Sequence, residues 1–191
     1  MTRCILGGTT AMPRFVALLR GINVGKAKRV PMAELRELLT SLGYRNVRTL
    51  LNSGNAVFEG PARAAAGHAS RIRAAIAERM NLEVPVIVKS AEDIAAACAE
   101  NALLGKATDH ARLLAAFAGR EEDLRALEAL APLVKPPERF LVGKHAAYLW
   151  CPHGILESRV TEALLGKVGR AATTRNWATV TKIAALLQEH D

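Results

Sequence analysis

Three short stretches of the chain concentrate side chains able to grip an anion. The first, RGINVGKAKR, carries Arg20, Asn23, Lys26, Lys28 and Arg29 in a loop bracketed by Gly21 and Gly25. Guanidinium and ammonium groups donate charge-assisted hydrogen bonds to phosphate or carboxylate, and glycines let a loop turn its N–H groups toward the same oxygens. The second is the small polar run Asn52-Ser53-Gly54-Asn55. The third is TTRNWATVTK, from Thr173 to Lys182, where Thr174 or Asn176 can cap a helix and Arg175 stands beside the amides of its first turn. Together they give a candidate ligand-binding set: Arg20, Asn23, Lys26, Asn52, Ser53, Asn55, Thr174, Arg175 and Asn176. The expected ligand is a small anion of phosphate or nucleotide type. Each stretch also has a plainer reading, as a strand-to-helix connection, a hairpin turn and a helix cap with a packed Trp177.

Sharper chemistry is excluded by spacing. A P-loop needs four residues between its glycines and a hydroxyl after the lysine to meet magnesium; here three residues separate Gly21 from Gly25, and Ala27 follows Lys26. Ser53 is followed by a strand pattern, so it lacks the strand-to-helix elbow of an esterase nucleophile. Cys151-Pro152-His153 supplies one thiol and one imidazole, while His68, His110, His145 and His190 show no metal-ligand spacing. No metal and no cofactor is expected. Whether the chain is an enzyme stays open, with Glu34, Ser53 and His153 as candidate acid, base or nucleophile.

The charge is localised. Six basic and no acidic residues precede Glu34, and four basic and no acidic residues lie between Glu162 and Glu189, against a net charge of +8 for the whole chain. Such segments favour an anionic ligand or partner over a uniformly sticky surface. Nucleic acid is the alternative partner, but aromatic residues make up only 4% of the chain and no basic-aromatic string offers bases a stacking platform. A scaffold or dimerisation role through open sheet edges is a further alternative, with the oligomeric state undetermined. Three scattered cysteines, Cys4, Cys98 and Cys151, fit a reducing compartment, and no stretch is long and apolar enough to span a membrane. The expected location is the cytoplasm.

The elements that must position these stretches follow from periodicity. Residues 1–11 read as a disordered N-terminal extension, with Met12 a candidate natural start. Phe15 to Leu19 is an apolar run that suits a strand covered on both faces. Pro31 opens a helix carrying Met32, Leu35, Leu38, Leu39 and Leu42 at helical spacing, stopped by Gly43. Strands over Val47 to Leu51 and Ala56 to Phe58 flank the Asn52–Asn55 turn, whose residues accept positive φ. A helix through Ala69, Ile72, Ile76 and Met80 leads to a strand at Val84 to Val88. Ser90 and Asp93 form a capping-box pattern before a short linker helix. The order then repeats: a strand at Arg112 to Ala118, a helix through Leu124, Leu127 and Leu130, a hairpin over Phe140–Val142 and Ala146–Trp150, a helix with Val160 and Leu164, a strand at Arg170 to Thr173, and a final helix from Trp177. Both halves spell βαββαβ, the order of the ferredoxin-like split βαβ motif. The expected fold is α+β: a subdomain over 12–90, a linker helix and loop over 91–110, and a second subdomain over 111–191 with an added C-terminal helix. Units this small bury too little alone, so the two ferredoxin-like subdomains should pack together.

The strings VALLRGINVG, VPMAELR, NSGNAVF and ATTRNWATVTK, spread from Val16 to Lys182, resemble the bacterial family of domain of unknown function 1697. The resemblance extends from Met12 to Gln188 and implies a cytosolic α+β protein of two related subdomains, with no established activity. It also implies that residues 1–11 precede the shared region. Two departures stand out: the family loop usually has a glycine where this chain has Lys26, and a lysine where it has Arg159.

Overall fold

The computed structural model describes residues 12–23 and 28–189. Its first half runs β1 (Arg14–Leu19), α1 (Met32–Ser41), β2 (Arg45–Leu50), β3 (Asn55–Glu59), α2 (Ala65–Met80) and β4 (Val86–Ser90). After α3 (Ala91–Glu100) the order returns as β5 (Leu113–Ala118), α4 (Glu121–Arg125), β6 (Arg139–Val142), β7 (Ala147–Trp150), α5 (Arg159–Leu165) and β8 (Ala172–Asn176), and α6 (Trp177–Gln188) closes the chain. Each half forms an antiparallel four-stranded sheet, ordered β2-β3-β1-β4 and β6-β7-β5-β8. The two orders are equivalent, so the structure consists of two ferredoxin-like halves.

The central strands show why the apolar runs are continuous rather than alternating. On β1, Phe15, Ala17 and Leu19 pack with Leu35, Leu38 and Leu39 of α1 and Ile72 and Ile76 of α2. Its other face, Val16 and Leu18, joins Ile94 and Ala97 of α3, Trp177, Val180 and Ile183 of α6, and Leu113, Ala115 and Phe117 of β5. Leu114, Ala116 and Ala118 of β5 turn outward to Leu124, Leu127, Val160 and Leu164. Successive strand side chains point to opposite faces, so both central strands are buried on both sides. The result is five layers: α1 and α2, the first sheet, α3 with α6, the second sheet, and an outer layer of α4, α5 and the segment between α4 and β6. The linker helix and the added C-terminal helix are thus the shared filling between the halves.

Polar side chains fasten α3 near both of its ends. Ser90 Oγ accepts from Asp93 N and Asp93 Oδ2 accepts from Ser90 N, each at 3.1 Å, which completes the capping box. At its other end Glu100 reaches the β6–β7 hairpin. Its carboxylate accepts from the backbone N–H groups of Lys144, His145 and Ala146 and from Tyr148 Oη, at 2.9 to 3.1 Å. Burial pushes this carboxyl upward, but the four hydrogen bonds outweigh it and hold the group below the usual carboxylate range.

Four expectations need correction. Pro31 is the N-cap of α1 and the helix begins at Met32. The helix expected through Leu130 lasts only one α-helical turn, and Ala126–Leu133 continues as a 3-10 helix containing Pro132, whose missing N–H and ring disfavour an α-helical course. Positive φ in the β2–β3 turn falls on Leu51 (57°) and Gly54 (78°), not on the asparagines. The last strand runs on to Asn176, so Arg175 is a strand residue paired with Ala115 rather than part of a helix start.

Candidate functional site

Arg175 projects from β8 of the second half into the first. Its Nη2 donates to the carbonyl oxygens of Leu19 (2.7 Å), Ser53 (3.1 Å) and Gly54 (3.2 Å). Nη1 donates to Thr173 Oγ1 at 2.9 Å and to Thr174 O at 2.8 Å, and Nε donates to Asn55 Oδ1. All three nitrogens are engaged, and no carboxylate is among their partners. The side chain is buried, which pulls its pKa down to about 10. A guanidinium so placed is held by neutral acceptors, five carbonyl oxygens and one hydroxyl.

Arg20 makes the reciprocal reach. From the end of β1 its Nη2 donates to the last carbonyls of α5, Leu164 (3.3 Å) and Leu165 (2.9 Å), and to Gly166 (3.4 Å), while Nη1 donates to Gly169 O and Ala172 O. A cation over the C-terminal carbonyls of a helix meets the negative end of its dipole. Burial again lowers the guanidinium pKa. Arg14 repeats the device on α6, donating to Leu187 O at 3.0 Å and to Glu189 O, and also to Glu59 at 3.2 Å. Arg14 of β1 and Arg20 just after it thus hold helix ends of the second half, and an arginine of β8 holds the end of β1 and the β2–β3 turn.

That turn is braced from within. Asn55 is fully buried, and its Nδ2 donates to Leu50 O (2.8 Å) and Ser53 Oγ (3.0 Å). Leu19 N donates to Gly54 O at 2.8 Å. Asn23, at φ 55°, is bonded to residues 28 and 30: Nδ2 donates to Val30 O (3.0 Å), Val30 N donates to Oδ1 (3.0 Å), and Asn23 N donates to Lys28 O (3.1 Å). The same Nδ2 donates to Asn52 O at 2.7 Å, so the loop and the turn are tied together.

Asn23 and Asn52 form two sides of an open cleft of about 390 Å³, completed by Arg29, Val30, Pro31 and Met32. Its floor is the start of α1, where Pro31 provides no capping side chain. The first N–H groups of a helix have no intrahelical partner and carry the positive end of the dipole. Arg29 is exposed and makes no hydrogen bond or ion pair among the described residues. A larger hollow, about 560 Å³, has Lys28 in its lining, but Ala74, Ala77, Val84 and Pro85 make its walls largely apolar, and Lys28 Nζ there donates to Glu83 O at 2.8 Å.

The structure therefore gathers most of the expected site residues at one end of the molecule, in different roles. Asn23 and Asn52 line the cleft. Arg20, Asn55 and Arg175 lie in the joint between halves, with Thr174 contributing its carbonyl there. Ser53 lends its carbonyl to Arg175, and its hydroxyl accepts from Asn55 with no acid or imidazole beside it. Asn176 caps α6, its Oδ1 accepting from Thr179 N at 2.9 Å and Thr179 Oγ1 at 2.6 Å. Lys26 lies outside the described residues, as do residues 1–11. Arg29 is the addition: it belongs to the basic loop, and its position two residues before the helix-opening proline was the signal.

The remaining chemical candidates stand apart from this region. Cys151 is buried with Thr161 Oγ1 at 3.9 Å from its sulfur, and burial pushes its thiol pKa up, away from the reactive thiolate. His153 is exposed in the turn after β7, and Glu34 is exposed in the first turn of α1. Among the described residues no cluster of three or more His, Cys, Asp or Glu side chains could hold a metal ion, and no helix is long and apolar enough to cross a membrane.

Comparison with known proteins adds kinship. A family model described as "Protein of unknown function (DUF1697)" matches residues 12–148. A solved structure of a conserved bacterial protein from Streptococcus pneumoniae is similar, with 30% identity and a TM-score of 0.77 over 93% of this chain and 100% of the other. Among curated proteins, none matches.

Proposed function

Because the chain belongs to the DUF1697 family, whose description carries no activity, we propose from the geometry that it binds a small anionic ligand in the cleft between Asn23, Arg29 and Asn52. The observation that carries this reading is the pairing of Arg29, a cation with no partner among the described residues, with a start of α1 that has no side-chain cap, in one polar hollow. Amide donors at a helix start and an exposed guanidinium are complementary to a phosphoryl or carboxylate group. The adjoining joint strengthens the field. Arg175 brings a buried positive charge and Arg20 a half-buried one, neither with a carboxylate partner among the described residues, and Ser53, which Arg175 holds, is the neighbour of Asn52 in the wall. A charge shielded from water acts over longer distances than an exposed one.

A nucleic-acid partner is less well supported by the layering. Ferredoxin-like sheets that bind RNA do so on an open face carrying aromatic side chains. Here each sheet has helices on both faces, and Phe15, Phe58, Phe117 and Tyr148 are core residues. We place the binding in the cytoplasm, where Cys98 and Cys151 would remain thiols as they are in the structure.

The test is calorimetric titration of the full chain with inorganic phosphate, pyrophosphate and a nucleoside monophosphate. Binding of at least one of them, abolished by Arg29→Ala with the thermal midpoint of the free protein unchanged, is the expected result. No binding of any of the three, or binding that Arg29→Ala leaves intact, overturns the assignment.

A further inference from the structure

We propose that Arg175 is a positioning residue for the cleft: a side chain of the second half sets the shape of a binding site that lies wholly in the first. The proposal rests on the anion-binding reading above for its consequence, but not for its geometry.

The connection can be followed bond by bond. The cleft wall at Asn52 belongs to the turn between β2 and β3, and that turn is fastened at three points to a guanidinium from β8: Ser53 O, Gly54 O and Asn55 Oδ1. The same Nη2 also holds Leu19 O, the last residue of β1, from which the chain enters the loop carrying Asn23 and Arg29. Both walls of the cleft therefore start from atoms that Arg175 holds, and they meet again at the Asn23–Asn52 hydrogen bond. The turn's other ties all come from the first half: Asn55 Nδ2 to Leu50 O and Ser53 Oγ, Leu19 N to Gly54 O, and Asn23 Nδ2 to Asn52 O. Asn52 and Ser53 are exposed, and Leu51 adopts φ 57°, a conformation that a γ-branched L-residue occupies at a cost. On the other side, Nη1 is oriented by Thr173 Oγ1 and Thr174 O, so the fork is set by the β8 backbone and by its pairing with β5.

A planar fork that satisfies six acceptors in two halves has no ammonium equivalent. Arg175→Lys keeps the charge in the joint yet cannot span those acceptors, which separates positioning from electrostatics. Two equilibria then become linked. An anion that needs the cleft in its closed-up shape binds more weakly when the turn is loose, and, reciprocally, an anion in the cleft tightens a joint it does not touch.

Backbone hydrogen exchange of the full chain decides the positioning claim without any ligand. In Arg175→Lys, exchange should rise at residues 52–55 while β3, α1 and α2 keep their protection; unchanged exchange at 52–55 overturns the proposal. Pyrophosphate titration decides the coupling. Its affinity should fall about tenfold in Arg175→Lys, within the usual range for coupled sites, and in the parent it should slow exchange at 172–176 as well as at 52–55. A loosened turn with unaltered affinity overturns the coupling. Should Arg175→Lys fail to fold, Thr173→Val, which removes one acceptor on the second-half side and touches neither turn nor cleft, is read by the same exchange criteria. Loss of pyrophosphate binding by the parent itself defeats the ligand reading and leaves the exchange result to judge Arg175 alone.

Discussion

At the scale of single residues, the end of β1 and the β2–β3 turn show how a short polar string is constrained from several directions. Gly54 has φ 78°, and a Cβ built on it would lie 2.6 Å from Ile22 Cδ1 and 2.8 Å from Leu19 Cβ. Both the backbone conformation and the space demand glycine, because Leu19 is fixed by strand pairing and donates to Gly54 O. Gly54→Ala should therefore destabilise by about 2–4 kcal/mol, from positive-φ strain together with overpacking. Urea denaturation measures this, and a change below about 0.5 kcal/mol, typical of an unconstrained surface site, would show that the turn can move aside. The same site explains what was legible in sequence. Gly54 and the asparagines announced a turn, but their acceptors and donors are partly 120 or more residues away, as with Arg175 and Asn55. Arg175 reads as a ligand group because its sequence places it at a helix start beside free amides, whereas it is a strand residue whose donors are taken up by carbonyls and the Thr173 hydroxyl.

At the scale of elements, apolar runs and caps were the reliable signals because their causes are local. The Ser90–Asp93 box closes within one turn, and the unbroken apolar run of β1 is itself a local mark of two-sided burial, although the residues that cover it, Trp177 and Phe117 among them, are distant in sequence. The α4 region read worse, since Leu124, Leu127 and Leu130 have helical spacing and are buried, yet Pro132 leaves the segment in 3-10 geometry. The anchoring of α3 by Glu100 was not legible at all, because its three amide donors lie across a hairpin more than forty residues on. This anchor has a pH signature. Glu100 has a depressed pKa in the folded chain, so its stabilisation is complete above the ordinary carboxylate value of 4.5 and is lost as pH falls below it. Glu100→Gln, which keeps the shape but not the charge, should cost about 1–3 kcal/mol at pH 7, the usual range for a charge-assisted set. The difference from the parent should shrink as pH is lowered through the carboxylate range. Urea midpoints at pH 7 and in buffer well below pH 4.5 check this; a constant difference would mean that charge plays no part in the anchor.

At the scale of the whole molecule, the issue is whether two equivalent folds in one chain behave as two bodies or one. Ferredoxin-like halves in isolation bury one sheet face well and leave the other to be covered. Here α3 and α6 cover both exposed faces at once, and Trp177, Val180, Ile183 and Leu187 share one core with Val16 and Leu18 of the first sheet and Phe117, Tyr148 and Trp150 of the second. Neither half can lose this layer without exposing the other, and the arginines add bonds that are satisfied only when both halves are docked. Stability should then be a property of the pair. Leu164→Ala removes a fully buried side chain from the outer layer of the second half, remote from the shared core, and should cost about 2–5 kcal/mol, as large-to-small core changes do. In a two-body molecule calorimetry would resolve a lowered transition for the second half and an unmoved one for the first. In a single cooperative unit the whole endotherm moves down together, with its calorimetric and van't Hoff enthalpies still equal. The shared layer predicts the second outcome, and Leu18→Ala, placed in the first half but facing that layer, should shift the same single transition.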